Sequence, residues 1–375
     1  MKICKNCVQP DTRPGIFFND QGICGACLWE TKKSKIDWTQ RIELLKSIIN
    51  SAKKSSKSNY DCVIGVSGGK DSTFQAITIR DKFNLNCLLV NYQPEQITEI
   101  GSMNIENLKN LGFDVITIRP NPIVMKKLIK HDFYKHLNPV KPTEFPLYAV
   151  SYIIAEKFDT PLVIQGENPA LTLGISKLGF ESGYDALDAN KFPTTASGYQ
   201  EYLVNDISEK DLFFYHYDKQ TLEKKGIRGI FLQYFIKEWS QRGNAEFSKK
   251  YGLKWREDLD PNSIGNYVPF TALDSNFHQL NQMLKSIKLG FGQCVDSACY
   301  DLREGYISRD EAVDLVIKYD GKCSEQYIDQ FCKYIGITHD EFWKVANSFR
   351  GPMWKKTPNN EWKNQYFEEL LKSQN

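Results

Sequence analysis

Six consecutive residues, Ser67-Gly68-Gly69-Lys70-Asp71-Ser72, concentrate the chemistry of this chain. They follow an apolar run, Cys62-Val63-Ile64-Gly65-Val66, and precede Thr73-Phe74-Gln75-Ala76-Ile77, which has helical character. A strand, a glycine turn and a helix start aim backbone N–H groups and the positive end of a helix dipole at one point. Adjacent glycines let the backbone approach a bulky anion with no Cβ in the way. Ser67 and Ser72 add hydroxyl donors, Lys70 a movable positive charge, and Asp71 a carboxylate suited to Mg2+ beside phosphates. The common P-loop needs Gly-Lys followed by Ser or Thr, and a second, upstream Gly where this chain has Ile64. Here Asp71 follows Gly69-Lys70, so the loop is of another kind. The plain alternative is a strand-to-helix turn that holds no ligand.

Two further groups carry chemistry. Cys4-Lys5-Asn6-Cys7 and Cys24-Gly25-Ala26-Cys27 are C-x2-C pairs with sixteen residues between them. Together they supply four thiolates for a tetrahedral Zn2+ site, with an iron–sulfur cluster or disulfides as alternatives. A closed four-sulfur site has no open position, so it reads as structural. Ile16-Phe17-Phe18 between turn residues suits a small β-hairpin, and so short a segment relies on metal for folding energy. The other group is Gly166-Glu167-Asn168-Pro169-Ala170, just after an apolar run. Glu167 there is either a solvated loop carboxylate or a site residue.

These groups need a scaffold. At 375 residues the chain has room for a sizeable core and about two or three units. Its 41% hydrophobic and 25% charged content is ordinary for a globular protein. A net charge of +2 gives no electrostatic case for nucleic acid. MKICKNC lacks the apolar segment of a secretory signal, and no apolar run is long enough to span a membrane. A cytoplasmic protein is the expectation. Residues 1–36 form the knuckle, and 37–59 a helix, Trp38–Asn50, with a polar linker. Strands are expected at Cys62–Val66, Cys87–Asn91, Asp114–Ile118 and Leu162–Gln165. Helices are expected at Ser72–Lys82, Thr98–Leu111, Ile123–Lys130 and Leu147–Phe158. Such alternation predicts an α/β domain, 60–225, with a parallel sheet binding ligands at the carboxyl ends of its strands. Leu171–Gln200, with Gly174, Gly179, Gly183, Pro193 and Gly198, reads as a substrate-binding loop or lid. Residues 226–375 read as mainly helical. Ser308…Glu311 and Thr338…Glu341 have capping-box form, and Gly321 and Gly336 stand at helix ends. Trp343, Trp354 and Trp362 read as packing residues, and the five histidines as ordinary polar groups.

SGGKDS resembles the PP-loop of the ATP pyrophosphatases, which split ATP to AMP and pyrophosphate while adenylating a carbonyl oxygen. Joined to the double C-x2-C, GENPA, Gly290-Phe291-Gly292-Gln293 and Asp301-Leu302-Arg303-Glu304-Gly305, it resembles the N-acetyl sugar amidotransferases of bacterial surface-polysaccharide and nonulosonic-acid pathways. Gln293 and Cys294 depart from the basic and small residues of that family. The resemblance implies an adenine nucleotide alpha-hydrolase-like α/β domain, an N-terminal zinc knuckle and a helical C-terminal region. It implies conversion of an acetamido to an acetamidino group with ATP, Mg2+ and structural Zn2+. It places Ser67, Gly68, Gly69, Lys70, Asp71, Ser72, Asn91 and Gly166 around ATP, Mg2+ on Asp71, and Lys70, Asp71 and Glu167 in catalysis. No glutaminase motif surrounds Cys62, Cys87, Cys294, Cys299, Cys323 or Cys332, which read as buried thiols. The resemblance implies ammonia from partners similar to the glutaminase and cyclase subunits of imidazole-glycerol-phosphate synthase. The alternatives are a tRNA-thiolating enzyme, which would use a reactive cysteine near the adenylate, and a non-catalytic nucleotide-binding scaffold.

Overall fold

The apolar run before the glycine loop forms the middle strand of a five-stranded sheet. The computed structural model describes residues 1–175, 183–187, 195, 197–204 and 206–373. The strands are Cys62–Gly65 (β1), Cys87–Tyr92 (β2), Asp114–Ile118 (β3), Leu162–Gln165 (β4) and Arg228–Phe231 (β5). Their order is β3-β2-β1-β4-β5 and every pairing is parallel. Strand direction alternates side chains between two cores. Val63, Leu88, Val90 and Val163 enter one core, and Cys62, Ile64, Leu89 and Ile164 the other. Burial on both faces explains why the inner strands β1, β2 and β4 are largely apolar.

The helices before β5 are Gly25–Lys33 (α1), Trp38–Ser55 (α2), Lys70–Phe83 (α3), Glu99–Asn110 (α4), Pro122–His136 (α5), Lys141–Lys157 (α6), Pro169–Thr172 (α7) and Lys219–Lys224 (α8). After it come Gln241–Lys250 (α9), Pro261–Ile264 (α10), Asn276–Leu289 (α11), Gln293–Arg303 (α12), Arg309–Tyr319 (α13), Glu325–Ile335 (α14) and His339–Ser348 (α15). A short antiparallel pair, Trp354–Lys356 (β6) with Trp362–Asn364 (β7), and Gln365–Lys372 (α16) close the chain. The Ser308 capping box is complete, and Gly336 ends α14 in the left-handed region.

Four differences from the sequence reading have physical causes. Helix α2 runs through the first half of the expected linker, because Ala52 extends the buried face of Leu45, Ile48 and Ile49. Helix α6 begins at Lys141, with Pro142 in its first turn where proline suits a helix, and runs on through Pro146. Strand β5 lies beyond residue 225, so the sheet continues into the region read as helical. Its Gly229 is required by packing, since a Cβ there would stand 2.1 Å from the Tyr152 hydroxyl. The hairpin expected around Ile16–Phe18 is reduced to single bridges, Phe18 to Cys24 and Ile16 to Ile175.

The C-terminal helices do not form a lobe apart. Phe277, Leu284, Phe331 and Phe342 join the core under α5 and α6. Phe291, Val295, Ala298, Val313 and Tyr366 pack instead around the four N-terminal cysteines. Among the described residues no helix is long and apolar enough to cross a membrane.

Candidate active site

In the strand order 3-2-1-4-5 the connections leave β1 toward opposite sides, which opens a crevice at its carboxyl end. The two segments singled out by chemistry both arrive there. Ser67–Ser72 leaves β1, and Gly166–Pro169 leaves β4, the strand beside it. They share a cleft of about 360 Å3 with the segment Phe270–Asp274 and with His278, Gln293 and Tyr300.

The glycine loop has the form its sequence requires. Gly68 has φ +77°, and a Cβ on it would press on Asn104, Gly101 and Ile105 at 3.2–3.3 Å. Gly69 is the N-cap of α3, and its N–H donates to Ser67 Oγ at 3.3 Å. No side chain caps the first turn of α3, so its N–H groups are available to an anion. A Cβ on Gly69 would meet only Ser67 Oγ nearby, so there is space for a ligand against this backbone. Lys70 is 7% exposed, and its ammonium lies 2.6 Å from Asp71 Oδ2. Asp71 Oδ1 accepts from Asn244 Nδ2 at 2.8 Å. The loop is fastened to α9 again where Ser248 Oγ donates to the Lys70 carbonyl at 2.7 Å. Ser72 lines the cleft, its hydroxyl donating to the Gly69 carbonyl at 3.1 Å.

Glu167 is not a solvated loop residue. It is half-buried in the cleft wall, and Tyr300 donates to its Oε1 at 3.0 Å. Burial first, and the nearby Asp71 second, push its pKa above the ordinary carboxylate value. A carboxyl so placed, beside Lys70 and Asp71, has the setting of a general base.

Two residues expected around ATP have protein partners at the base of the site. Asn91 is 1% exposed and donates from Nδ2 to the Val66 carbonyl at 2.8 Å, bracing the base of the loop from β2. Gly166 is a packing glycine, because a Cβ there would stand 2.9 Å from Gln75 Oε1 and 3.0 Å from the Trp239 ring. Neither lines the cleft. Asn244, Ser248 and Tyr300 escaped the sequence reading because each reaches the site from far along the chain. Tyr300 directly precedes Asp301-Leu302-Arg303-Glu304-Gly305, which is the one signal that pointed near it. Of the expected substrate loop, Gly179 and Pro193 lie outside the described residues. Cys62 and Cys87 face each other at 3.6 Å at the amino ends of β1 and β2. No described cysteine lines the cleft, a placement that gives a thiolation mechanism no nucleophile there.

At the N-terminus, the four sulfurs of Cys4, Cys7, Cys24 and Cys27 lie within 4.8 Å of one another and all four residues are buried. Cys4 and Cys27 are 3.9 Å apart at sulfur, Cys7 and Cys24 3.8 Å. A tetrahedral Zn2+ with bonds of about 2.3 Å puts its sulfurs about 3.8 Å apart, so the donor set fits that ion.

The family model for the C-terminal domain of WbpG-like LPS biosynthesis proteins matches residues 263–372. The chain matches none of the curated proteins compared with it. Among solved structures, an NH3-dependent NAD synthetase from Campylobacter jejuni is 15% identical, covers 51% of this chain and 97% of its own, with a TM-score of 0.27. An NMN synthetase from Francisella tularensis is 14% identical over 76% of this chain and 93% of its own, with a TM-score of 0.31. Likenesses this distant carry no argument about activity.

Proposed function

We propose that the chain is an ATP-dependent amidotransferase. In this reading it adenylates the oxygen of a sugar acetamido group and lets ammonia displace AMP, giving an acetamidino sugar for lipopolysaccharide or a related surface glycan. The observation that carries it is the meeting of Ser67–Ser72 with the half-buried Glu167 in one cleft. The match of residues 263–372 to an LPS biosynthesis domain supports the pathway.

ATP is needed because an amide carbonyl is a weak electrophile and its oxygen a poor leaving group. The amide oxygen attacks the α-phosphorus, the bond to the β-phosphate breaks, and pyrophosphate leaves. The resulting O-adenylyl imidate has AMP as leaving group. Ammonia adds to its carbon, gives up a proton, and expels AMP. Ser67, Gly69, Ser72 and the first turn of α3 cradle the phosphates. Lys70 moves from Asp71 onto them and offsets the charge that builds on the leaving group. That move frees Asp71, held in place by Asn244, to take Mg2+, which when bound neutralises phosphate charge. Glu167, held by Tyr300, accepts the proton that ammonia gives up. An acetamido group is neutral, so it enters a cleft walled by Asp71, Glu144, Glu167 and Asp274 without charge repulsion.

The test is incubation with ATP, Mg2+, ammonium and a panel of acetamido sugars. The expected products are AMP, pyrophosphate and a sugar in which NH stands for O. Glutamine should not replace ammonium for the isolated chain, and a glutaminase partner should restore its use. ADP and orthophosphate as products would sink the reading.

A further inference from the structure

Beside the cleft lies a second, much smaller void, between α1 of the knuckle and the end of α12. It offers about 20 Å3, which is room for one molecule the size of water. Two of its wall residues carry a buried polar atom with no partner among the described residues, Glu304 Oε2 and Trp239 Nε1. The other oxygen of Glu304 is satisfied, accepting from the Gln241 N–H at 3.0 Å in the first turn of α9. Trp239 is 3% exposed. Unpaired buried groups are costly, and two in the walls of one polar void point to an occupant that pairs with them.

That occupant must accept from an indole N–H and donate to a carboxylate. Ammonia does both. Ammonium has no lone pair to offer the indole, and nothing much larger fits. Gln241 and Tyr300 wall both the void and the catalytic cleft. Since Tyr300 also donates to Glu167, an occupant of the void is one layer of side chains from the carboxyl assigned to nitrogen attack. Glu30 and Lys33 of α1 stand in the same wall, ion-paired at 3.2 Å, so the lysine charge there is offset. Arg303 and the Asp301–Arg242 pair also stand near Glu304.

We propose that this void is an ammonia-binding station, loaded from the face where α1 meets α9 and α12 and emptied past Tyr300 into the cleft. The proposal rests on the reading of the chain as an ammonia-using ligase. It also places the nitrogen source at the knuckle side of the molecule.

Three measurements test it together. ATP–pyrophosphate exchange with an acetamido sugar reads adenylation without nitrogen. Glu304→Gln and Trp239→Phe should leave that exchange unchanged and raise the KM for ammonium about tenfold, as loss of uniform binding does. Unchanged ammonium KM in both variants would overturn the station and leave a void for water. Independently of turnover, ammonium chloride titrated against sodium chloride at equal ionic strength should change the tryptophan fluorescence of the native chain saturably. That change should vanish in Trp239→Phe, and a native chain without it would overturn the station whatever the acceptor proves to be. Absence of exchange with every sugar would instead count against the amidotransferase reading, with the fluorescence titration still deciding the station.

Discussion

Glu167 is a half-buried carboxyl set near a second carboxylate, Asp71, and both its partial desolvation and that neighbour favour its protonated form. A general base works only when ionised. Turnover should therefore rise with pH through the raised pKa of Glu167, with an acid limb above the usual carboxylate range. Glu167→Gln should lower kcat by about 10² to 10⁴ and remove that limb. A variant that keeps the limb would show that another group takes the proton. Much of this site was legible at the residue scale because Ser67–Ser72 is a contiguous local motif, whose glycine conformation and helix start are set by neighbours in sequence. Glu167 was legible as a candidate by position alone. Its burial was not, since Tyr300 and the C-terminal helices supply it from over a hundred residues away. The same limit hid the packing partners of Asn91 and Gly166. A polar residue and a glycine at strand ends look like ligand contacts, yet here one braces a loop and the other admits Trp239.

Among the elements, α12 connects most of the chemistry. Its face toward the knuckle carries Cys294, Ala298 and Cys299, while Tyr300 reaches Glu167 and Arg303 donates to the Thr172 carbonyl at 3.2 Å. Its first turn carries Asp296, bridged to Arg13 of the knuckle and, at 2.7 Å, to Lys285 of α11. Burial alone would raise the Asp296 carboxyl, but Arg13 and Lys285 outweigh it and hold it below the ordinary value. With the folded pKa depressed, the stability from this bridge is complete above the unfolded value of about 3.9 and is lost as pH falls below it. Asp296→Asn leaves two cations facing a neutral group and should cost about 3–5 kcal/mol at neutral pH. Urea melts at neutral and acid pH check this, and the gap between variant and native chain should narrow in acid. Equal stability at neutral pH would show the bridge to be incidental. Strands β1, β2 and β4 were readable because burial on both faces leaves them largely apolar, and the edge strand β3, with Asp114 and Thr117 exposed, from Val115, Ile116 and Ile118. Strand β5 hid because four residues containing Gly229 resemble a turn, and only the Tyr152 hydroxyl explains that glycine.

For the whole molecule, the knuckle is a shared core rather than an appendage. The sequence gives reason to expect a metal-folded unit that could loosen alone, because thirty residues bury little. The structure instead surrounds the four cysteines with Phe291, Val295, Ala298, Val313, Tyr366 and Leu370, so the metal site and the last third of the chain fold against each other. Tyr366 donates its hydroxyl to the Val8 carbonyl, closing the chain's two ends on one another. Freshly purified protein should hold one Zn2+ per chain. Chelation, or Cys24→Ser, should release α12, α13 and α16 along with the knuckle, since ligand loss withdraws folding energy from every element packed on the site. Hydrogen exchange reads this directly: those helices should lose protection while β1–β4 retain it. Turnover should fall as well, because Tyr300 leaves Glu167 when α12 loosens. Protection lost only before residue 37, or protein purified without zinc, would mean that the cysteines do not carry this core.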